Sequence, residues 1–273
     1  IPHYPSGTSS IFPPNAWGVL TENENSLRLI VHNNPEVSHY KVHLSGDGKI
    51  FTNSMIVEKN NPLITGLQKD SLYYIRLQAI GNDTSVFTEV LAGIPTDREK
   101  KTLIVNGFDR PVAGNTYDFI RMHASAINNY GFHFESASNE AIIYGLINLN
   151  DYDIVDWILG TESTADETFS SVEQTRVIEY LRNGGCLFVS GSEIAWDLDN
   201  RGSESDKQFI WNYLKSAYVA DAPNNQSNTF YNAEGIPGEY FSGVSNITFD
   251  NGTQGTYNVS WPDVVNGVNG GVN

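Results

Sequence analysis

GGCLFVSGSE, residues 184–193, decides the fold of the second half of the chain. A helical pattern ends on the two glycines, and an apolar run from Cys186 to Val189 stops in small residues and a carboxylate. This order predicts a buried strand that delivers polar groups to the carboxyl edge of a parallel sheet, where ligands bind. Ser192 on the following turn is either a nucleophile or a turn residue. The single cysteine, Cys186, is predicted to be a buried and inert thiol.

The surrounding sequence alternates between strand and helix patterns. Strands are predicted at residues 101–107, 153–160 and 186–189, and a further strand begins with residues 131–134. Helices are predicted at 117–130, from a Ser170–Glu173 capping box to Gly184, and at 207–218. The face of the first helix that packs on the sheet is predicted to contain Phe119, Met122, Ala126 and Tyr130. The alternation predicts an α/β three-layer domain with a mainly parallel sheet covered on both faces.

Residues 13–96 have a different pattern, with short alternating strands separated by turns. Strands are predicted at residues 26–31, 39–44, 49–51, 63–64 and 73–80. Residues 67–79, LQKDSLYYIRLQA, resemble the fibronectin type III signature. The resemblance implies an all-β sandwich in which Tyr73 is the corner tyrosine, and Trp17 is expected to fill its core.

These patterns predict a two-domain chain. Residues 1–12 are an N-terminal extension, 13–96 the sandwich, 97–100 a charged linker and 101–273 the α/β domain. From about residue 219 the sequence is rich in Asn, Gly and Thr, which predicts a β-rich tail. The tail is expected to be truncated, so other domains of a longer chain are among the expected partners.

Polar residues follow three of the predicted α/β strands where each strand ends. They are Asn106, Asp109 and Arg110 after the first strand, Glu162 and Ser163 after the third, and Ser190, Ser192 and Glu193 after the fourth. Because the tips of parallel strands share one edge of a sheet, we expect these groups to converge on one crevice.

The α/β half also resembles known proteins. The pattern Tyr-Leu-x-x-Gly-Gly before an apolar strand is similar to the flavodoxin-like, class I glutamine-amidotransferase-like fold. Residues 106–110, 156–163 and 190–197 are similar to secreted bacterial proteins labelled xanthan lyase-like or N-acetylmuramoyl-L-alanine amidase-like, which can carry golvesin-type domains. The resemblance implies a glycan or cell-wall setting rather than one reaction.

Two mechanisms are open at the predicted crevice. In the first, Ser192 is the nucleophile and His123 its base, as amidotransferase-like enzymes require, since no histidine follows His133. The second uses carboxylates for glycoside hydrolysis or elimination, from among Glu162, Glu193, Asp109 and Asp197. Substrate binding is assigned to Arg110 for an acidic sugar, to Trp196 for stacking on a sugar ring, and to Asn106, Asp109, Ser190 and Asp197. The alternative reading is that all these side chains cap helices and satisfy turns.

Composition excludes several classes of partner. The net charge of -16 argues against nucleic acid, and no apolar run is long enough for membrane insertion. No metal or cofactor is predicted, because the calcium-loop-like residues 197–202 place Arg201 where an oxygen ligand is needed. We expect a secreted, periplasmic or cell-surface protein that binds or acts on polysaccharide or peptidoglycan, with hydrolysis as the candidate activity. The alternative is a non-catalytic adhesion or scaffold protein with a degenerate amidotransferase-like domain.

Overall fold

The computed structural model describes residues 11–99, 101–109, 119–253 and 255–272. The chain divides into two compact units. The first comprises Ile1–Ile158 and Glu179–Val189, and the second comprises Leu159–Ile178 and Ser190–Asn273.

The sandwich in the first unit has two antiparallel sheets. Its strands are β1 Trp17–Asn23, β2 Ser26–Val31, β3 His39–Ser45, β4 Asn53–Glu58, β5 Leu63–Ile64, β6 Tyr73–Ile80 and β7 Leu91–Gly93. Strands β1, β2 and β5 are neighbours in one sheet, and the other has the order β4-β3-β6-β7. Alternate residues of β6 are buried, so Ile75 and Leu77 pack in the core with Trp17 and Tyr40.

The predicted tyrosine corner is confirmed. The hydroxyl of Tyr73 accepts a hydrogen bond of 2.9 Å from the backbone N–H of Gln68, five residues upstream. This is the bond that fixes the start of the corresponding strand in fibronectin-like sandwiches. With the two-sheet arrangement it establishes a fibronectin type III-like module over about a third of the chain.

The predicted strand at residues 49–51 is wrong. Asp47 Oδ1 accepts hydrogen bonds from the backbone N–H groups of Lys49 and Ile50, at 2.8 and 2.9 Å. These bonds hold both residues in the turn, and the strand begins only at Asn53.

One sheet of the sandwich continues into the α/β part of the chain. The added strands are β8 Thr102–Asn106, β9 Phe134–Ser138, β10 Ile154–Gly160 and β11 Cys186–Gly191. Among the described residues the combined sheet has the order β11-β10-β8-β9-β1-β2-β5. Strands β10, β8 and β9 are parallel, whereas β9 pairs antiparallel with β1. The sheet is therefore mixed.

The junction between β1 and β9 is short and is completed by side chains. Only two pairs form, Gly18 with Ala137 and Val19 with Ser136. Beyond them, Ser138 Oγ accepts from the N–H of Trp17 at 3.1 Å, and Glu135 Oε1 accepts from the N–H of Thr21 at 2.8 Å. Buried backbone donors are thus satisfied where the strands diverge.

Gly18 allows a close approach of the strands at this junction. A Cβ there would overlap the Ile147 side chain and lie 3.1 Å from the carbonyl oxygen of Ser136. A larger residue would therefore push β1 away from β9.

Two helices in the first unit are α1, Ile120–Tyr130, and α2, Asn139–Ile143. The predicted inner face of α1 is wrong, since Met122 is 60% and Tyr130 82% exposed. The buried residues of this helix are Ile120 and Ala124, one turn apart. Residues 117 and 118 of the predicted helix lie outside the described residues.

The prediction that Cys186 is buried is also wrong, because its side chain is exposed. Strand β11 is at the end of the sheet, and its residues alternate between exposed and half-buried. An edge strand is covered on fewer sides than the central strand that the apolar run suggested.

Helix α3, Ser171–Arg182, begins at the predicted capping box. The Ser170 N–H donates to Glu173 Oε2 at 2.7 Å, and the Glu173 N–H donates to Ser170 Oγ at 3.4 Å. Gly184, with a φ of 91°, follows its end.

The rest of the second unit contains short helices and a β-rich tail. A π-helical turn at Trp196–Arg201 precedes α4, Glu204–Phe209, which continues as a second π-helical turn to Leu214. The strands are β12 Ser216–Asp221, β13 Asn232–Ala233, β14 Ile247–Thr248 and β15 Asp263–Gly267, paired β12 with β15 and β13 with β14. The prediction that this helix reaches Tyr218 is wrong, because Lys215 takes a left-handed conformation after Leu214 and β12 begins at Ser216.

We predict that Tyr73→Phe lowers the free energy of unfolding by about 1 kcal/mol, because it removes only the corner hydrogen bond. Tyr130→Phe is the matched control, since Tyr130 is exposed, and should change it by less than about 0.5 kcal/mol. Urea denaturation followed by circular dichroism measures both. Equal stability of the two variants would show that the corner bond contributes nothing.

Candidate functional site

One edge of the combined sheet brings several strand ends together in the first unit. Across neighbouring strands, Ile158 pairs with Asn106, Asn106 with Ser138, and Trp17 with Val31. The hydrogen bond from the Trp17 N–H to Ser138 Oγ connects the pairs of the parallel strands to the pair formed by β1 and β2. The carboxyl ends of β8 and β9 therefore lie at the same edge as the start of β1 and the end of β2. This edge is where open α/β sheets bind ligands.

Glu140 lies at this edge and is almost completely buried. Ser138 caps α2 by accepting a hydrogen bond from the Ala141 N–H, which places Glu140 in the first turn of the helix. Glu140 is 5% exposed, and its Oε1 is buried with no hydrogen-bond partner among the described residues. Such an atom costs free energy unless the carboxyl keeps its proton.

Two further carboxylates surround Glu140. We call Glu89, Asp109 and Glu140 the carboxylate cluster. Burial first, and then the charges of Asp109 and Glu89, raise the pKa of Glu140 to about 9. Asp109 Oδ2 accepts a hydrogen bond from the Asn139 side chain at 3.0 Å, and Glu89 Oε1 accepts one from Trp17 Nε1 at 2.8 Å. Near neutral pH the cluster therefore holds a protonated Glu140 beside the carboxylates of Asp109 and Glu89. Each of these two carboxylates accepts a hydrogen bond from its own donor.

The sequence predicted this location only in part. Asn106 is buried at the end of β8, and Asp109 is half-buried three residues later, both after the predicted strand. Glu89, Asn139 and Glu140 were missed; for Asn139 and Glu140 the reason is that the prediction gave the start of the second strand but not its end, which is at Ser138. Asn139 and Glu140 directly follow the true end of β9, so a correct strand end would have identified them. Arg110 lies outside the described residues.

Ser192 lies in the second unit, immediately after β11. Both its N–H and its hydroxyl donate to the carbonyl oxygen of Gly160, at 3.0 and 3.3 Å. Its own carbonyl accepts from the N–H of Asp263 at 2.9 Å. These bonds fix the turn, and Ser190 is half-buried just before it.

Asp263 is a polar residue that sequence reasoning did not find. Its Oδ2 accepts hydrogen bonds from the backbone N–H groups of Ala195 and Trp196, at 2.7 and 2.8 Å, and so caps the helical turn that begins there. Burial raises the pKa of Asp263 to about 7, with smaller contributions from Glu193 and Asp221, although the two N–H groups favour the charged form. No local motif marks Asp263, because it is distant in sequence from the turn it caps.

The other predicted residues of the second unit take part mainly in packing. Glu162 is 1% exposed. Asp197 is buried and accepts from both the N–H and the hydroxyl of Thr168, at 2.8 and 2.7 Å. Trp196 meets the Tyr218 ring at 5.8 Å, and the Arg201 guanidinium lies 5.3 Å from its centre. Two neighbours thus already contact the proposed stacking surface.

His123 pairs with Asp156 in the first unit. His123 Nδ1 lies 2.7 Å from Asp156 Oδ2, and the carboxylate is buried. A histidine oriented through Nδ1 is a component of catalytic triads. However, Asp156 pairs with Ile104, two residues before the Ile158–Asn106 pair at the edge of the sheet. The His123–Asp156 pair therefore joins α1 to the middle of β10. Asp156 was not predicted as a site residue.

The predicted convergence of all strand tips stays a prediction. Asn106, Asp109 and His123 belong to the first unit, whereas Glu162 and residues 190–197 belong to the second. Within the first unit the structure brings Asp109 together with Glu140 and Glu89. Within the second it brings Ser192 and Glu193 to Asp263.

Comparison with solved structures gives similarity to fibronectin type III domains. The model is similar to a fibronectin type III domain of the human collagen alpha-1(XX) chain, with 20% identity, a TM-score of 0.29, and coverage of 34% of this chain and 93% of that one. It is also similar to the FN5 domain of Drosophila Lar, with 17% identity, a TM-score of 0.26, and coverage of 32% and 99%. No protein-family model and no curated protein matches the sequence.

Two structural features are absent from the described residues. No helix in them has the length and apolar character to cross a bilayer. No group of three or more histidine, cysteine or carboxylate side chains in them is arranged to hold a metal ion.

We predict that the free energy of unfolding falls between about pH 4 and pH 7 because of Asp263. Its pKa is higher in the folded protein, so unfolding releases a proton in this window and rising pH favours the unfolded state. Asp263→Asn removes this contribution, which amounts to about 2–4 kcal/mol, and leaves the fall in stability that the raised pKa of Glu140 causes over the same pH range. Urea titrations at pH 4.5 and 8 measure it.

A contrasting variant separates charge from capping. Asp263→Ala also removes the oxygen that caps Ala195 and Trp196, so it should be less stable than Asp263→Asn at both pH values. An unchanged pH dependence in Asp263→Asn would contradict the assignment.

Proposed function

We propose that the protein is an extracellular glycan hydrolase in which Glu140 is the general acid and Asp109 the general base. The observation that carries this proposal is the burial of Glu140 against two other carboxylates at the ligand-binding edge of the sheet. Environments that push the pKa values of neighbouring carboxyls apart distinguish an acid from a base in glycosidases.

The reaction uses one water molecule. Glu140 donates its proton to the glycosidic oxygen as the bond from that oxygen to the anomeric carbon breaks. Asp109 accepts a proton from the water that attacks the anomeric carbon, and the hydrogen bond from Asn139 holds its carboxylate in place. Glu89, held by Trp17 Nε1, keeps the pKa of Glu140 high, so that Glu140 regains its proton for the next turnover.

The setting of the proposal comes from the sequence. The net charge of -16, the scarcity of lysine and the resemblance of residues 190–197 to secreted bacterial proteins support a cell-surface or secreted location and a glycan substrate. Ser192 is a weaker candidate for the reacting group, because its hydroxyl donates to the Gly160 carbonyl.

A second candidate function is non-catalytic glycan binding. The small exposed fraction of Glu140 favours it, since an acid must reach its substrate. In that case the cluster only shapes the sheet edge, and the protein acts as an adhesion or scaffold module.

We predict that Glu140→Gln lowers kcat at least about 100-fold while the fold is retained, because glutamine replaces the neutral acid in shape but has no acidic proton. Reducing ends released from peptidoglycan and from N-acetylchitohexaose measure the rate. Asp109→Asn should have a comparable effect. Glu58→Gln, at an exposed glutamate, is the control and should retain full activity.

The competing mechanisms give different results in the same assay. Ser192→Ala keeps its activity under the carboxylate mechanism and loses it if Ser192 is the nucleophile. Absence of activity on both substrates and on a panel of acidic polysaccharides would leave the binding function. Full activity of Glu140→Gln would refute the role of this acid.

A further inference from the structure

A cavity in the sandwich opens beside the same sheet edge. Its volume is about 260 Å³, and it is lined by residues 12–15, which precede β1, by residues 32–35 and 37, which follow β2, and by Tyr40 and Ala79. Because Trp17 pairs with Val31, the two lining segments leave the sheet at one place. No residue assigned to the carboxylate cluster lines this cavity.

The chemistry of the lining is amide and aromatic. Asn15, Asn33 and Asn34 lie beside Phe12, His32 and Tyr40, and no Asp, Glu, Lys or Arg takes part. The amide nitrogens of the three asparagines make no hydrogen bond with any described residue, although the Asn15 and Asn34 oxygens accept from the nearby N–H groups of Ala16 and Glu36. These amide groups can therefore donate hydrogen bonds to the hydroxyl and carbonyl oxygens of a ligand.

Aromatic surfaces are available at the rim. Phe12 is 74% exposed. His32 is exposed and stacks on Tyr144 with ring centres 4.6 Å apart, which extends the rim toward α2. A flat apolar face beside hydrogen-bond donors matches a sugar ring, whose axial C–H groups form one face and whose hydroxyls project from the edge. Uncharged lining in a protein of net charge -16 favours a neutral sugar over an acidic one.

We propose that this cavity is a subsite for a neutral oligosaccharide, which we call the sandwich subsite. The sandwich subsite extends the proposed hydrolase function and rests on it. Its position follows from the combined sheet. The cavity lies beside the start of β1 and the end of β2, and the carboxylate cluster lies beside the carboxyl ends of β8 and β9. Neighbouring strands are about 4.8 Å apart, so two strand spacings, roughly 10 Å, separate β9 from β2. A short oligosaccharide spans that distance along the edge.

The test measures binding separately from hydrolysis. Full-length Glu140→Gln protein, which is expected not to cleave, is titrated with N-acetylchitohexaose and with cellohexaose in calorimetry. We expect one of them to bind. Phe12→Ala and Asn33→Ala should each raise the dissociation constant about 3- to 10-fold, since each removes one contact with the sugar. Both residues are exposed, so the substitutions should not unfold the sandwich, and circular dichroism checks this.

Matched controls remove the same side-chain types elsewhere on the surface. Phe132→Ala and Asn60→Ala, at exposed positions that do not line the cavity, should leave the dissociation constant unchanged. The proposal is overturned if neither sugar binds at millimolar concentration, or if the cavity variants bind as the controls do. Binding of a polyproline hexamer in place of both sugars would also overturn it.

Failure of this subsite and failure of the hydrolase function are distinguishable. If Phe12→Ala weakens sugar binding and the parent protein hydrolyses no sugar, the sandwich subsite is supported and the hydrolase function is refuted. Hydrolysis with a KM that the cavity variants do not alter supports the enzyme and refutes the subsite.

Discussion

The pairing of β9 with β1 is the constraint on which the rest of the first unit depends. Two backbone pairs alone would hold two sheets together weakly. The buried oxygens of Ser138 and Glu135 extend the junction by accepting from N–H groups of β1, and Ser136 Oγ bonds both the N–H and the carbonyl of Ala92 in the facing sheet. A buried donor without an acceptor costs about 1–3 kcal/mol, so these polar side chains fix the register strongly.

This junction also determines where chemistry is possible. It aligns the start of β1 and the end of β2 with the carboxyl ends of β8 and β9, so these ends of the sandwich strands and of the parallel strands lie at one edge of the combined sheet. Glu89 belongs to the sandwich, whereas Asp109 and Glu140 follow the parallel strands, yet all three interact. A module usually regarded as a spacer therefore contributes one carboxylate to the candidate site.

Local signals predicted local structure well. The strands at residues 26–31 and 73–80, the Tyr73 corner and the Ser170–Glu173 capping box depend on neighbouring residues, and the structure has all of them. The exposure of Cys186 and the inner face of α1 depend on which strand is at the edge and what covers a helix, so periodicity alone gave the wrong answer. Glu89 and Asp263 act on residues distant in sequence, and no spacing rule connects them to their sites.

Hydrogen–deuterium exchange along a urea titration tests the shared sheet most directly. If the junction couples the sandwich to the parallel strands, the slowest amides of β6 and β8 should exchange through one opening, with the same free energy and the same urea dependence. Replacing Gly18 by valine should lower both free energies together, since it separates β1 from β9. Amides of β6 that stay protected after those of β8 have opened would contradict the account.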